Sequence, residues 1–377
     1  ERQICNGELK DQERVMQTDD QASCENLSKC EIKIIDPCID QRWDEFIYKH
    51  PNSWIVHLSG WKKVLENSFP HMKGYYLALT EGTDTQIKAA LPLFEVSSWI
   101  LGKRLISIPF ATICDPLVTS QEEMKKLLDE TFNLAKKLGA SHLEIRTLKS
   151  HPLIQEDFFH CSCFYKHHYL LLTNNINNIK KSFHRTNVRQ RIQRAEKSDI
   201  CVKPGNSETD LMEFHELHKR TRKKHGMPPQ PYEFFKNLWD TFVPSSNMKL
   251  LLAQKNDKTI AALILFLFRD RVSAEFLASD DSYWNLSPNH LLFWEAIKTA
   301  HNEGFKIFDF GRTPSSNSSL MDFKKHWGTT VVDLPQFIYP DNMCNTIDDR
   351  EKSINYRLSK IICKNAPELI DSLIGNF

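Results

Sequence analysis

The chain has 377 residues, more than one hydrophobic core usually serves, so two units of ordinary size plus tails are expected. Hydrophobic residues make up 41% and charged residues 26%, which excludes a wholly disordered chain. With 49 basic and 48 acidic residues nearly cancelling, only local clusters of charge can inform about partners. The first thirty residues are polar, without the apolar core of a secretory signal, and read as a tail. Structure is expected from "CEIKIIDP", where Ile32, Ile34 and Ile35 form a strand stopped by Pro37. Two helical stretches follow, and "YYLALTEGTDTQIKAALPLFEV" reads as two strands around a turn at 82–85. From Gln121 to Leu138 the apolar spacing predicts a helix that Gly139 closes, and "HLEIRT" is the next strand. Farther on, "MKLLLAQKNDKTIAALILFLFRDRVSAEFLAS" predicts three strands joined by tight turns at Asn256-Asp257 and Arg269-Asp270. A helix from about Ser287 to Glu303 ends at Gly304, and "FKIFDF" is a strand.

No segment reaches the ~18 apolar residues of a membrane helix, the longest run being Ile260 to Phe268. The ten cysteines include no CxxC, and Cys161 and Cys163 are the closest pair. They predict no zinc framework or other metal site, and mostly buried thiols in a reducing compartment. The expected location is cytoplasmic.

The two halves share sequence as well as element order. "AALPLF" at 89–94 faces "AALILF" at 261–266, with five of six positions identical. "AKKLGASHLEIR" faces "AHNEGFKIFDFGR"; in both, an alanine stands four residues before a glycine and an acid five after it, Glu144 or Asp309. Two matches in one order predict an internal duplication of an α/β unit. Its order of elements, helices and antiparallel strands followed by helix, strand, helix and strand, is that of GNAT-class acyltransferases.

"RLISIPF" at 104–110, "LGASHLEIR" at 138–146, "NLSPNHLLFWEAI" at 285–297 and "FDFGR…FKKHWG" at 308–328 extend the resemblance. Together they resemble the FemAB-related proteins, tandem-GNAT relatives of the Fem aminoacyltransferases with a BioF2-like acetyltransferase domain. The resemblance covers roughly residues 30–340. It implies an α/β fold of two GNAT domains, each a mixed, mostly antiparallel sheet flanked by helices. The expected division is a polar tail at 1–30, a first domain at 31–173, a second at 174–340 carrying the active site, and a helical tail at 341–377. It also implies transfer of an acyl or aminoacyl group to an amine or hydroxyl of a peptidoglycan or exopolysaccharide precursor. The donor, aminoacyl-tRNA or acyl-CoA, is a co-substrate rather than a bound cofactor, and the work is done in the cytoplasm or at the inner face of the membrane. An acyl-CoA-dependent acyltransferase and a non-catalytic relative that binds a glycan or lipid carrier are the alternatives; monomer and homodimer are both open.

Acyl transfer passes through a tetrahedral oxyanion, where one well-aimed donor is worth ~3 kcal/mol. By resemblance, the F-K-K pattern at Phe323-Lys324-Lys325 supplies it, Lys324 first and Lys325 second; the bland reading is two solvated lysines beside a buried Trp327. Strand alternation sets Asp309 opposite Phe308 and Phe310, where a carboxylate needs a partner, and Arg312 is the expected one. The pair either fixes the turn or serves the reaction, Asp309 orienting the amine or taking its proton while Arg312 holds a substrate anion. Glu144 and Arg146 repeat it in the first half, without the lysines.

The loop "SDDSYWNLSPNH" lacks the glycines that cradle a pyrophosphate in acetyl-CoA enzymes. Tyr283 and Asn289 match family positions and either line the cleft or hold the turn. "KKSFHRTNVRQRIQRAEK", 180–197, concentrates seven basic residues against one glutamate, with Val188, Ile192 and Ala195 as its inward stripe. Arg189 and Arg194 match a family pattern from which Gln190 and Gln193 depart. The stretch is either a solvated face or a clamp for a lipid diphosphate, nucleotide sugar or tRNA backbone. "KKHGMPPQPYEFF" reads as a shaped loop before a helix led by Pro231, and the tail from Asp341 as a packing or membrane-proximal appendage.

Overall fold

A computed structural model describes residues 30–81, 86–98, 102–155 and 159–340. The terminal tail and appendage expected from the sequence, and the 82–85 turn, lie outside the described residues. Twelve strands form one sheet in the order β1-β2-β3-β4-β5-β12-β6-β11-β10-β9-β8-β7. In the first half these are β1 (Cys30–Ile35), β2 (Met72–Glu81), β3 (Ile87–Ser98), β4 (Gly102–Ser107), β5 (His142–Arg146) and β6 (His160–Leu171). In the second they are β7 (Cys201–Gly205), β8 (Met248–Lys255), β9 (Lys258–Phe268), β10 (Arg271–Ser279), β11 (Ile307–Pro314) and β12 (Thr330–Tyr339). Neighbours are antiparallel except β4 with β5 and β10 with β11, which are parallel.

The last strand of each half crosses over. β6 pairs with β11, β12 pairs with β5, and β6 and β12 pair with each other at the centre. Element order along the chain is silent on this exchange, since it is decided by which edge each strand finds free. The repeat itself is visible in the register: the parallel pairs end at Ile106↔Glu144 and Ser273↔Asp309, so the two acids hold equivalent places.

On one face, α1 (Gln41–Lys49) and α2 (Ser59–Ser68) share a core with α6 (Glu208–Lys224) and α7 (Tyr232–Phe242), through Trp43, Trp61, Phe214 and Phe234. On the other, α3 (Gln121–Leu138) buries Met124, Leu127 and Leu134 over the first half. There α5 (Gln190–Glu196), α8 (Pro288–Asn302) and α9 (Ser318–Lys325) cover the second half around Trp327, Phe308 and Phe310. Gly139 and Gly304 end α3 and α8 in the left-handed conformation, as the sequence predicts. Positive φ at Asn256, Asp257 and Arg269 makes the two tight strand turns.

Two expectations fail here. Of the six described cysteines only Cys114 is buried; Cys38, Cys161, Cys163 and Cys201 are exposed, two of them on β6 lining an open crevice. The basic stretch is not one helix: α4 (Ile176–Ser182) ends at Phe183, and a wide turn over Arg185–Arg189 leads into α5. Its stripe of Val188, Ile192 and Ala195 is nonetheless fully buried. No described helix is long and apolar enough to cross a membrane, and no described cluster of His, Cys, Asp or Glu could hold a metal ion.

Candidate active site in the second-half strand splay

The site begins where β10 and β11 part. They pair at Arg271↔Ile307, Val272↔Phe308 and Ser273↔Asp309 and no further, so the rest of each strand borders an opening. Both strands break register at its mouth. β10 has its irregularity between Ala274 and Phe276, which sets Glu275 out of the ladder. β11 has one between Asp309 and Gly311. Gly311 holds φ of +71°, which an L side chain tolerates poorly, and its N–H donates to Asp309 Oδ1 at 2.7 Å.

Asp309 is 1% exposed. Arg312 is not its counter-ion: the β11 irregularity carries the Arg312 guanidinium to a stack 4.7 Å over Tyr165, near Glu144 and Arg146. Instead His167 Nε2 lies 2.9 Å from both carboxylate oxygens, and Arg271 Nη1 donates to Oδ2 at 2.8 Å. Burial alone would raise the proton affinity of Asp309. His167, Arg271 and the Gly311 N–H outweigh it and hold the carboxyl well below its usual range. In the first half Glu144 and Arg146 do pair, at 2.7 Å, and Arg146 also donates to the carbonyls of Ile108 and Ala111. Equivalent acids thus have different partners, one local and one drawn from β6 and β10.

Lys324 and Lys325 separate cleanly. Lys325 is exposed, whereas Lys324 is 7% exposed and reaches from α9 to donate to Arg312 O at 2.9 Å and Gly311 O at 3.1 Å. Burial lowers Lys324 from 10.5 to about 8, helped by Arg312 and opposed by Asp309 and Glu275. Part-buried Glu275 accepts a hydrogen bond from Ser273 Oγ. Burial and the charge of Asp309 raise it to about 7, against Ser273, Lys324 and Arg312. An ammonium and a carboxyl that titrate near neutrality therefore share one opening, an arrangement suited to oxyanion stabilisation and proton transfer.

Sequence reasoning missed His167, Arg271 and Glu275. The alternation in "YKHHYLLL" could have marked His167 as an inward residue of a strand, but nothing local links it to Asp309, 142 residues away. The other expected residues lie apart from Lys324. Tyr283 is half-buried under the Lys258 ammonium, 4.9 Å from its ring. Asn289 donates to Ser279 Oγ at 3.3 Å at the start of α8. Exposed Arg194 donates to Asn285 O at 3.4 Å, and Arg189 is half-buried with Nε unpaired. These four belong to the α5 and α8 side of the half.

A splayed parallel pair between two helices defines the GNAT class, and residues 182–325 match the family described as acetyltransferase (GNAT) domain. A 138-residue stretch is 24% identical to the UDP-N-acetylmuramoylpentapeptide-lysine N(6)-alanyltransferase of Weissella viridescens, covering 36% of this chain and 40% of that relative's length. The fold resembles the crystal structure of FemX, with a TM-score of 0.64 at 17% identity over 84% of this chain and 98% of that one. It also resembles a tandem GNAT protein from the clavulanic acid biosynthesis pathway (TM-score 0.54, 10% identity, 82% and 98% covered). The L-PGS structure from Bacillus licheniformis is a further likeness (0.55, 12%, 92% and 99%). The fold is thus of the GNAT type, residues 182–325 match an acetyltransferase (GNAT) domain, and part of the chain is similar to a Fem-type alanyltransferase.

Proposed function

We propose that the chain transfers an acyl or aminoacyl group to an amine or hydroxyl of a cell-envelope precursor, at the opening between β10 and β11. The observation that carries this is the Lys324 ammonium, buried and pinned to the carbonyls of Gly311 and Arg312 beside Glu275. With the donor carbonyl in the opening, the acceptor attacks its carbon and Lys324 donates to the oxyanion that forms. Glu275 takes the proton released by the nucleophile and passes it to the leaving group, which departs protonated as the carbonyl re-forms. Asp309 has every strong partner it needs, so its part is to hold β6, β10 and the β11 turn in place. Arg312 fits the role of holding an anionic portion of a substrate. Lys325, Arg189, Arg194, Tyr283 and Asn289 fit contacts farther out, along the donor.

The relative's name supports a peptidoglycan precursor as acceptor and an aminoacyl donor, while the GNAT match leaves acyl-CoA as the other donor. The division into units at 31–173 and 174–340 remains part of the proposal, with the chemistry in the second. Purified protein should be offered alanyl-tRNA or acetyl-CoA with a UDP-linked muramoyl pentapeptide, and the acceptor weighed by mass spectrometry. A mass increase that disappears in Lys324→Ala supports the reading; an undiminished increase in that variant defeats it.

A further inference from the structure

On the sheet face away from α9, a crevice of about 600 Å³ opens over β6, β11 and β12. Tyr169, Leu171, Ile307, Val332 and Pro335 make its wall, and neither Lys324, Glu275 nor Arg312 takes part in it. Its floor holds His167, which is 1% exposed, and its rim carries exposed Lys149 and part-buried Arg271. The acid on this wall, Asp333, is held by Lys166. A smaller crevice of about 100 Å³ continues from it past Leu148, Lys149, Arg271 and Ile307; there Asp115 and Asp270 stand beside Arg269, whose guanidinium donates to His50 O, so the positive charge is at the Lys149 and Arg271 rim.

His167 sets the chemistry. An ionised carboxylate only accepts, so the nitrogen 2.9 Å from both Asp309 oxygens, Nε2, must be the donor. Nδ1 is left buried with no hydrogen-bond partner among the described residues. Beside it the half-buried Tyr169 ring is stacked at 28°, its centre 5.7 Å from that of His167, and lends the crevice an aromatic wall. A deep unpaired ring nitrogen, an aromatic and aliphatic wall and cations at the rim suit a ligand with a hydroxyl, which can donate or accept, a face of C–H groups and a negative charge. An alkylammonium would meet Arg271 and Lys149.

We propose that this crevice binds an anionic sugar, a hydroxylated ring carrying a phosphate or carboxylate. A ring hydroxyl hydrogen-bonds His167 Nδ1, the ring lies on Tyr169 and the aliphatic wall, and the anion meets Lys149 and Arg271. The proposal concerns binding and stands apart from the transfer reaction.

Calorimetric titration of the full chain with glucose 6-phosphate, glucuronate, glucose and inorganic phosphate tests it. At least one of the two anionic sugars should bind, and glucose and phosphate should each bind about tenfold or more weakly by comparison; the stronger anionic arm identifies phosphate or carboxylate as the charge. Lys149→Ala, at an exposed position, should weaken that binding severalfold while leaving the melting temperature unchanged, and His167→Phe should weaken it about tenfold. Lys324→Ala should leave it unaltered. Failure of both anionic sugars to bind, phosphate binding as tightly as the sugar phosphate, or Lys149→Ala binding like wild type would each overturn the proposal.

Discussion

Lys324→Met separates catalysis from stability. In the folded chain the ammonium is lowered from 10.5 to about 8, a difference worth about 3 kcal/mol against folding wherever the lysine is charged in both states. Methionine fills similar space without charge. It leaves the carbonyls of Gly311 and Arg312 without the Lys324 donor, a loss of about 1 kcal/mol for each bond. The balance at pH 7 is a variant more stable than wild type by about 1 kcal/mol, yet with turnover down about 100- to 1000-fold through the lost oxyanion donor. The folded protein binds fewer protons than the unfolded chain between about 8 and 10.5, so wild-type stability gains over that window and the variant does not. Urea melts at pH 7 and pH 10.5 should therefore show the variant's advantage reversing to a deficit of about 2 kcal/mol. An equal difference at the two pH values would refute the depressed lysine and the reasoning from burial.

Transfer should show a bell-shaped pH dependence, rising as Glu275 loses its proton near 7 and falling as Lys324 loses its own near 8; Glu275→Gln should abolish the rising limb. Arg271→Ala leaves the buried Asp309 with His167 as its remaining side-chain partner and should lower stability by about 3 kcal/mol in a denaturant melt, a wild-type midpoint being the contrary result. Gly311→Ala should lower stability by about 1 to 2 kcal/mol through φ of +71° alone, because the nearest atom to an added Cβ, Thr112 Oγ1, is 3.7 Å away. If the basic stretch contacts a polyanionic donor, Arg189→Ala should weaken that binding and flatten its salt dependence, as filter binding at several salt concentrations would show.

Much of the site was legible locally. The glycine stops of α3 and α8, the strand turns and the inward stripe at Val188, Ile192 and Ala195 follow from conformational preference and periodicity, which act over a few residues. The repeated glycine-to-acid spacing put Glu144 and Asp309 at equivalent strand positions, and the register agrees. The F-K-K pattern singled out Lys324. Its burial required α9 to fold back onto β11, and no spacing could distinguish it from its exposed neighbour Lys325.

Which side chains meet across the sheet follows from strand pairing. Sequence proximity made Arg312 the natural partner of Asp309, because an unpaired buried carboxylate is so unfavourable that the nearest cation is the default choice. The β11 irregularity turned that guanidinium toward Tyr165, and strand pairing brought His167 and Arg271 in its place. Glu275 became a candidate base because a β10 irregularity set it beside Lys324 and Asp309 in a poorly solvated opening. The two α/β repeats and the lysine carried by one of them are written in local patterns and could be read from the chain alone. The exchanged central strands and the charges they deliver depend on pairing between residues more than a hundred positions apart, which no local preference encodes.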